Sequence, residues 1–278
     1  MKLQPARPGG GHKPMNFQKL FAALIAACLL LMTRPAFAQE APLRFRASQV
    51  PVGKVFHFIK SNRDGSHAAQ ISVFVAAQDR LEALKWDQGG DEATLVVAAM
   101  DWSKFSVRHF EASHLSRDAA PELRATLEVS GDQLSMSLME APLTLHHWPW
   151  HSFDFDFTSL NMTLPHLRNP ESGLTFWRTD FVYSEPPAVA ELGEVRLTFE
   201  ANEVRDGKRV RRYSIGGAGL GNTRGTWWAD RRTGLLVEFE IPIGDEPGYN
   251  DVRLKATGSQ KMSAAAWETF KRRSVAAR

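Results

Sequence analysis

Val195-Arg196-Leu197-Thr198-Phe199-Glu200-Ala201 alternates apolar and polar side chains without a break. A period of two puts one set of side chains on each face of a strand, a pattern that a helix cannot bury on one side. Alternation recurs at 43–46 and 252–256, and further strand-like runs lie at 55–60, 71–76, 81–86, 93–100, 105–110, 123–129 and 134–138, and again at 210–215, 225–229 and 235–241. Turn sequences separate the runs: Asn62-Arg63-Asp64-Gly65, the stretch 87–91, Ser130-Gly131-Asp132, Asp206-Gly207 and the stretch 245–249. A helix is expected over 263–273, with Ser263 as N-cap and cations at its far end. A long alternating sheet with few helices to cover it must curl on itself or stack on a second sheet. The expectation is an all-β, mainly antiparallel fold, a curved sheet or half-barrel or else a sandwich, with a short C-terminal helix.

The first 38 residues read as an export signal. From Met15, the apparent true start, a short basic region with Lys19 leads into an apolar run from Leu20 to Met32. Ala36 and Ala38 then form the small-x-small site that a signal peptidase accepts. An alternative reads Ile25-Ala26-Ala27-Cys28 as a lipobox, with Cys28 lipidated. The mature chain is then 39–278, a single β-rich domain or two sub-domains divided near 140–190, and the expected compartment is the periplasm. Five of the 34 basic residues and none of the 31 acidic ones lie in the leader, so the mature chain holds 29 against 31, a net charge of −2. That balance gives no global case for nucleic-acid binding. The one cysteine also leaves with the leader, which excludes disulfides, a thiolate nucleophile and cysteine-based metal sites.

The window Ser214–Gly234 gathers glycines, basic residues and two tryptophans. Its Gly217-x-Gly219-x-Gly221 spacing is not a dinucleotide fingerprint, and a strand rather than a helix follows, so no pyrophosphate loop and no nucleotide cofactor is expected. The window reads as a bent hairpin, with Asp230-Arg231-Arg232-Thr233-Gly234 as a bulged type I turn. The segment Gly225-x-Trp227-Trp228-x-Asp230-x-x-Thr233-Gly234-Leu235-Leu236-Val237 is similar to a hairpin of the periplasmic lipoprotein-carrier-like proteins. The resemblance implies a strongly curved half-barrel around a helix-covered cavity for acyl chains, and no catalysis. This chain is longer than that pattern and shows little helix to form a lid.

The stretch His146–Phe157 places three histidines and two carboxylates within twelve residues. Pro149 prevents a helix that would bring His147 and His151 together, and a strand through 151–157 would turn Phe153, Phe155 and Phe157 inward and Asp154 and Asp156 outward. The expected reading is an aromatic core face with a solvated acidic face; a metal or acid/base site is the alternative. No catalytic residue, no metal site and no cofactor is assigned. His109 and His114 read as surface or strand-end residues. Arg205, Lys208, Arg209, Arg211 and Arg212 form a basic hairpin, either a solvated edge or a contact for an anionic headgroup. Trp227, Trp228, Tyr249, Arg211 and Arg212 are the candidate ligand-binding residues. The function expected is a non-enzymatic periplasmic carrier of a lipid-like molecule. A cell-envelope interaction protein with a protein partner is the alternative, and a hydrolase or metal enzyme the third reading. Mass spectrometry of the periplasmic fraction should find a mature chain starting at Gln39; a diacylglycerol-modified Cys28 in the membrane fraction would overturn the cleavage site.

Overall fold

The hairpin turns dictate a meander, and the computed structural model shows one over residues 41–87, 91–117, 119–137, 139, 141–182, 188–244 and 248–276. The expected leader and the turns at 88–90 and 245–247 lie outside the described residues. Residues from Pro42 onward form one compact unit. Its strands are β1 (Lys54–Asn62), β2 (Ala69–Val75), β3 (Arg80–Asp87), β4 (Glu92–Asp101), β5 (Ser106–Ser116), β6 (Glu122–Ser130), β7 (Gln133–Met136) and β8 (Leu143–Thr144). There follow β9 (Trp150–His151), β10 (Leu174–Val182), β11 (Ala188–Arg205), β12 (Lys208–Gly216), β13 (Arg224–Asp230), β14 (Leu236–Ile241) and β15 (Val252–Lys261). Among the described residues the α-helices are α1 (Thr158–Thr163) and α2 (Ala264–Ala276).

All fifteen strands belong to one sheet, in the order β8-β7-β6-β5-β4-β3-β2-β1-β15-β14-β13-β12-β11-β10-β9. Every neighbouring pair is antiparallel except β9 with β10. Two meanders therefore meet at the β1–β15 seam, and the chain passes from one outer edge, β8, to the other, β9, through residues 145–149 alone. Fifteen strands at about 4.8 Å spacing would span about 67 Å if flat. Six Cα steps of at most about 3.6 Å reach about 22 Å. The sheet must curl, and the far edge does return: the Trp150 amide donates to Ser106 Oγ on β5 at 2.9 Å.

The expected strands appear, but β5 runs on to Ser116, β11 begins at Ala188 and runs to Arg205, β15 extends to Lys261, and β10 is a strand that the sequence reading did not place. Three expectations need correction. Residues 43–46 make only a single bridge, Leu43 to Leu167, because the neighbouring chain here is a turn and not an edge strand. Residues 153–157 are not a strand: the chain turns, Asp156 and Phe157 adopt left-handed φ of 51° and 49°, and α1 begins at once. The acidic face expected there is not solvated, since Asp156 is buried against the Nζ of Lys60 at 2.8 Å.

The segment that follows β9 fills the concave side. Phe153, Phe157, Leu160, Met162 and Leu164 are buried among Phe176, Ile215, Trp227 and Phe239 from the sheet. The segment is pinned by polar contacts at both ends. Asp180 accepts from the amides of Phe153 at 3.1 Å and Asp154 at 3.2 Å and pairs with Arg178, while Asn161 Oδ1 accepts from the Leu236 amide at 2.7 Å. Farther along, the Tyr213 hydroxyl donates to the Pro170 carbonyl at 2.9 Å.

The convex side is covered unevenly. Over β1–β4 lies α2, whose Trp267 packs with Val55, Phe74 and Leu84 and donates its indole N–H to Glu82 at 2.7 Å. Ser263 Oγ accepts from the Ala266 amide at 3.2 Å, the expected cap. Over β12–β14 a small cluster, Val210, Trp228 and Val237, lies beneath charged side chains. The hairpin reading of 214–234 holds: β12 pairs with β13, and Asp230 Oδ1 accepts from the amides of Arg232 and Thr233. Between them the loop folds back on β11, and a Cβ at Gly219 would sit 2.5 Å from the Gly193 carbonyl oxygen. Only glycine allows that approach.

Phe157 is the pivot of this interior, its ring centroid 5.0 Å from that of Phe153, 5.6 Å from Phe176 and 6.4 Å from Phe239. Replacing it with alanine should lower unfolding free energy by about 3–5 kcal/mol, the usual cost of removing a buried ring. Urea titration checks this; a loss below about 1 kcal/mol would show that the segment is not part of the cooperative core.

Candidate functional site

Strand parity decides what faces the concave side of the first meander. Ile71, Ala83, Lys85, Thr94, Val96, Phe110, Ala112 and His114 are brought into cross-strand register along β2–β5. At its deep end this stripe meets the inserted segment, but Ala83 and Ala112 are too short to reach it. The gap is a cavity of about 610 Å³, bounded on the far side by Ser152, Asp154, Phe155 and Asp156 and on the flank by His67, Phe181 and Tyr249. Its volume is that of a small-molecule site.

The lining is graded along the strands. Ile71, Ala83, Val96, Phe110, Ala112 and Phe155 supply the apolar part, while Lys85, Asp87, Glu92 and His114 lie toward the β3–β4 turn. His114 is within 3.7 Å of Glu92. Tyr249 donates its hydroxyl to the His67 carbonyl at 2.8 Å, and the Nζ atoms of Lys60 and Lys85 lie 4.9 and 5.5 Å from its ring centroid. Asp154 Oδ2 accepts from the Phe181 amide at 3.0 Å. These contacts tie the far wall to the sheet.

Of the five candidate ligand residues, Tyr249 alone lines this cavity. Trp227 is fully buried in the core, stacked on Phe239 at 5.4 Å and 20°. The concave space beside it, expected to be a groove, is filled by the inserted segment. Trp228 faces the other way, under the Arg205 guanidinium at 3.8 Å, with its indole N–H donating to Glu203 at 2.7 Å. Arg212 pairs with Glu200 and Glu203 at 3.1 and 3.4 Å, across from Trp228 on β13. Arg211 is half-buried at the opposite parity, opposite Ala229. The hairpin cations Arg205 and Arg212 thus sit in a network with acidic partners.

The histidine-rich stretch is dispersed. His147 stacks on Trp177 at 4.0 Å and 3°, with Glu191 at 3.5 Å from its Nδ1. His151 is fully buried, its Nδ1 2.9 Å from Ser159 Oγ. Ser159 is fully buried too, so this histidine–hydroxyl pair does not meet solvent. Among the described residues no three of His, Cys, Asp and Glu are grouped to hold a metal. Among them also, no helix is long and apolar enough to cross a membrane.

Sequence reasoning missed His114, Phe110, Lys85 and Ala112 as wall residues. The parity of β3–β5 could have aligned them, but only the curl shows that this part of the stripe stays uncovered.

No family model matches the chain, and no curated protein matches it. Among solved structures it is similar to the hypothetical lipoprotein YmcC from Escherichia coli K12, at 11% identity and TM-score 0.33, over 91% of this chain and 100% of that one. It is also similar to a Vibrio parahaemolyticus domain carrying the provisional description outer membrane lipoprotein-sorting protein, at 10% identity and TM-score 0.20, over 82% and 94%.

Burial holds His151 down to about 3; burial and then the charge of Arg46 hold His166 down to about 4. Both stay neutral in the folded chain where an unfolded histidine would take a proton. Their contribution is therefore complete above the ordinary pKa of 6.5 and is lost as pH falls toward the folded values. At about 1.4 kcal/mol per pH unit per group, stability should be about 2–4 kcal/mol lower at pH 5 than at pH 7.5. Urea midpoints at the two pH values check this, and His166→Gln should remove about half of the slope. An unchanged midpoint would show that the imidazoles are protonated in the fold.

Proposed function

We propose that the mature chain is a non-enzymatic binding protein of the periplasm that holds a small amphipathic molecule in the cavity under β2–β5. The observation that carries this reading is the grading of one concave face, apolar at its deep end and charged toward the β3–β4 turn. An apolar body gains from the deep part in proportion to the area it removes from water, about 25 cal/mol per Å². Its polar end then meets side chains instead of losing its hydrogen bonds. The export leader supports the periplasm as the compartment. Tyr249 serves as a wall residue of the site. Trp227 belongs to the core beneath it, and Trp228, Arg211 and Arg212 have no place on this wall.

Titration of the mature protein with the neutral probe N-phenyl-1-naphthylamine should give saturable fluorescence enhancement at about one probe per chain. Ala112→Phe, which places a ring in the gap, should weaken binding at least ten-fold with the thermal midpoint little changed. Absence of saturation, or equal binding by the variant, would overturn the cavity as the site.

A further inference from the structure

The charges around the cavity narrow the class of molecule that it holds. Four carboxylates face it: Asp87 and Glu92 from the ends of β3 and β4, and Asp154 and Asp156 from the inserted segment. Two ammonium groups answer them. Lys60 lies 2.8 Å from Asp156, and Lys85 shares the wall. Among the described residues around the cavity, carboxylates outnumber ammonium groups four to two.

The walls repeat the preference by a separate route. Phe110 and Phe181, 6.4 Å apart by ring centroid, stand near the acidic side chains with Phe155 and Tyr249. Aromatic faces attract cations, and the lysines standing off the Tyr249 ring at 4.9 and 5.5 Å show that ring already used in this way. An anionic headgroup would meet repulsion from the carboxylates and the unfavourable faces of the rings at once. A cation meets neither.

We infer that the cavity selects amphipathic molecules with a cationic amine head, placing the apolar part against Ile71, Val96 and Phe110 and the ammonium near Asp87 and Glu92. The inference rests on the reading of this cavity as the binding site. It differs from the expectation that the basic hairpin recruits an anionic headgroup, whose Arg205 and Arg212 are met by Glu238, Glu200 and Glu203.

The test is isothermal titration of the mature protein at pH 8 with three ligands of one chain length: decylammonium, decanol and decanoate. Decylammonium should bind at least ten-fold more tightly than decanoate, with decanol between. Asp87→Asn together with Glu92→Gln, both exposed positions, should reduce the advantage of decylammonium over decanol at least five-fold. Decanoate binding as tightly as decylammonium, or an unchanged ratio in the double variant, would overturn the charge selection while leaving the cavity as a binding site. If none of the three binds, the cavity reading falls and this inference with it.

Discussion

The passage from β8 to β9 governs the rest of the molecule. Residues 145–149 join two strands that sit at opposite edges of a fifteen-stranded sheet. Such a short connection is possible only if the sheet bends until its edges approach. Once it bends, it has a concave side with an apolar stripe on every strand, and something must cover that stripe. The chain emerging from the crossing is already there. Phe153, Phe155, Phe157, Leu160 and Leu164 therefore become core by position as much as by composition. No covering layer of helices is needed, which is how the shortage of helix in the sequence is reconciled with a long apolar sheet.

The two sides of the curl are stabilised by different physics. On the concave side rings pack on rings, and the few polar groups are tied to backbone, as Asp180 is to the amides of 153 and 154. On the convex side of the second meander, Glu238 is fully buried between Arg205 at 2.9 Å and Arg253 at 2.6 Å. Removing one arginine would leave a buried carboxylate short of a partner, which is costly even where the intact pair itself contributes little. The Arg205 guanidinium also lies over Trp228, so charge and apolar cover come from the same side chain. On the convex side of the first meander Glu82 plays the matching part under α2, accepting from the Trp267 indole N–H and meeting Lys271 at 3.1 Å and Arg80 at 3.3 Å.

Period-two alternation made most of this fold legible. The presence of β1–β7 and β11–β15, the curved antiparallel sheet and the capped C-terminal helix all follow from local pattern, whereas the full lengths of β5, β11 and β15 do not. What failed has a common cause. At 153–157 the phenylalanines alternate as a strand would have them, yet that run has no neighbouring strand to pair with, and Lys60 draws Asp156 inward. Alternation says that two faces differ; it does not say which partner covers the apolar one. The same limit hid the site. Trp227 and Trp228 stood out by residue type, but a buried aromatic stacked on Phe239 is packing. The cavity is marked by Ala83 and Ala112, residues conspicuous only for the volume they fail to fill.

Stability and the proposed binding meet in the inserted segment. Phe155 and Asp156 line the cavity, and their neighbour Phe157 is central to the core. Asp156 and Phe157 both hold a left-handed backbone that non-glycine residues rarely adopt, and it persists because Lys60 grips one side chain and aromatic rings enclose the other. A molecule lodged against Phe155 adds contacts to a wall that the fold already maintains under strain. Any ligand that binds only the folded chain stabilises it by RT ln(1 + [L]/Kd), and here that free energy falls on the segment whose placement lets the sheet curl. The cavity is thus a gap left by the same element that completes the core, and its shape is set by where that element is pinned: at Lys60, at Asp180 and at the Leu236 amide.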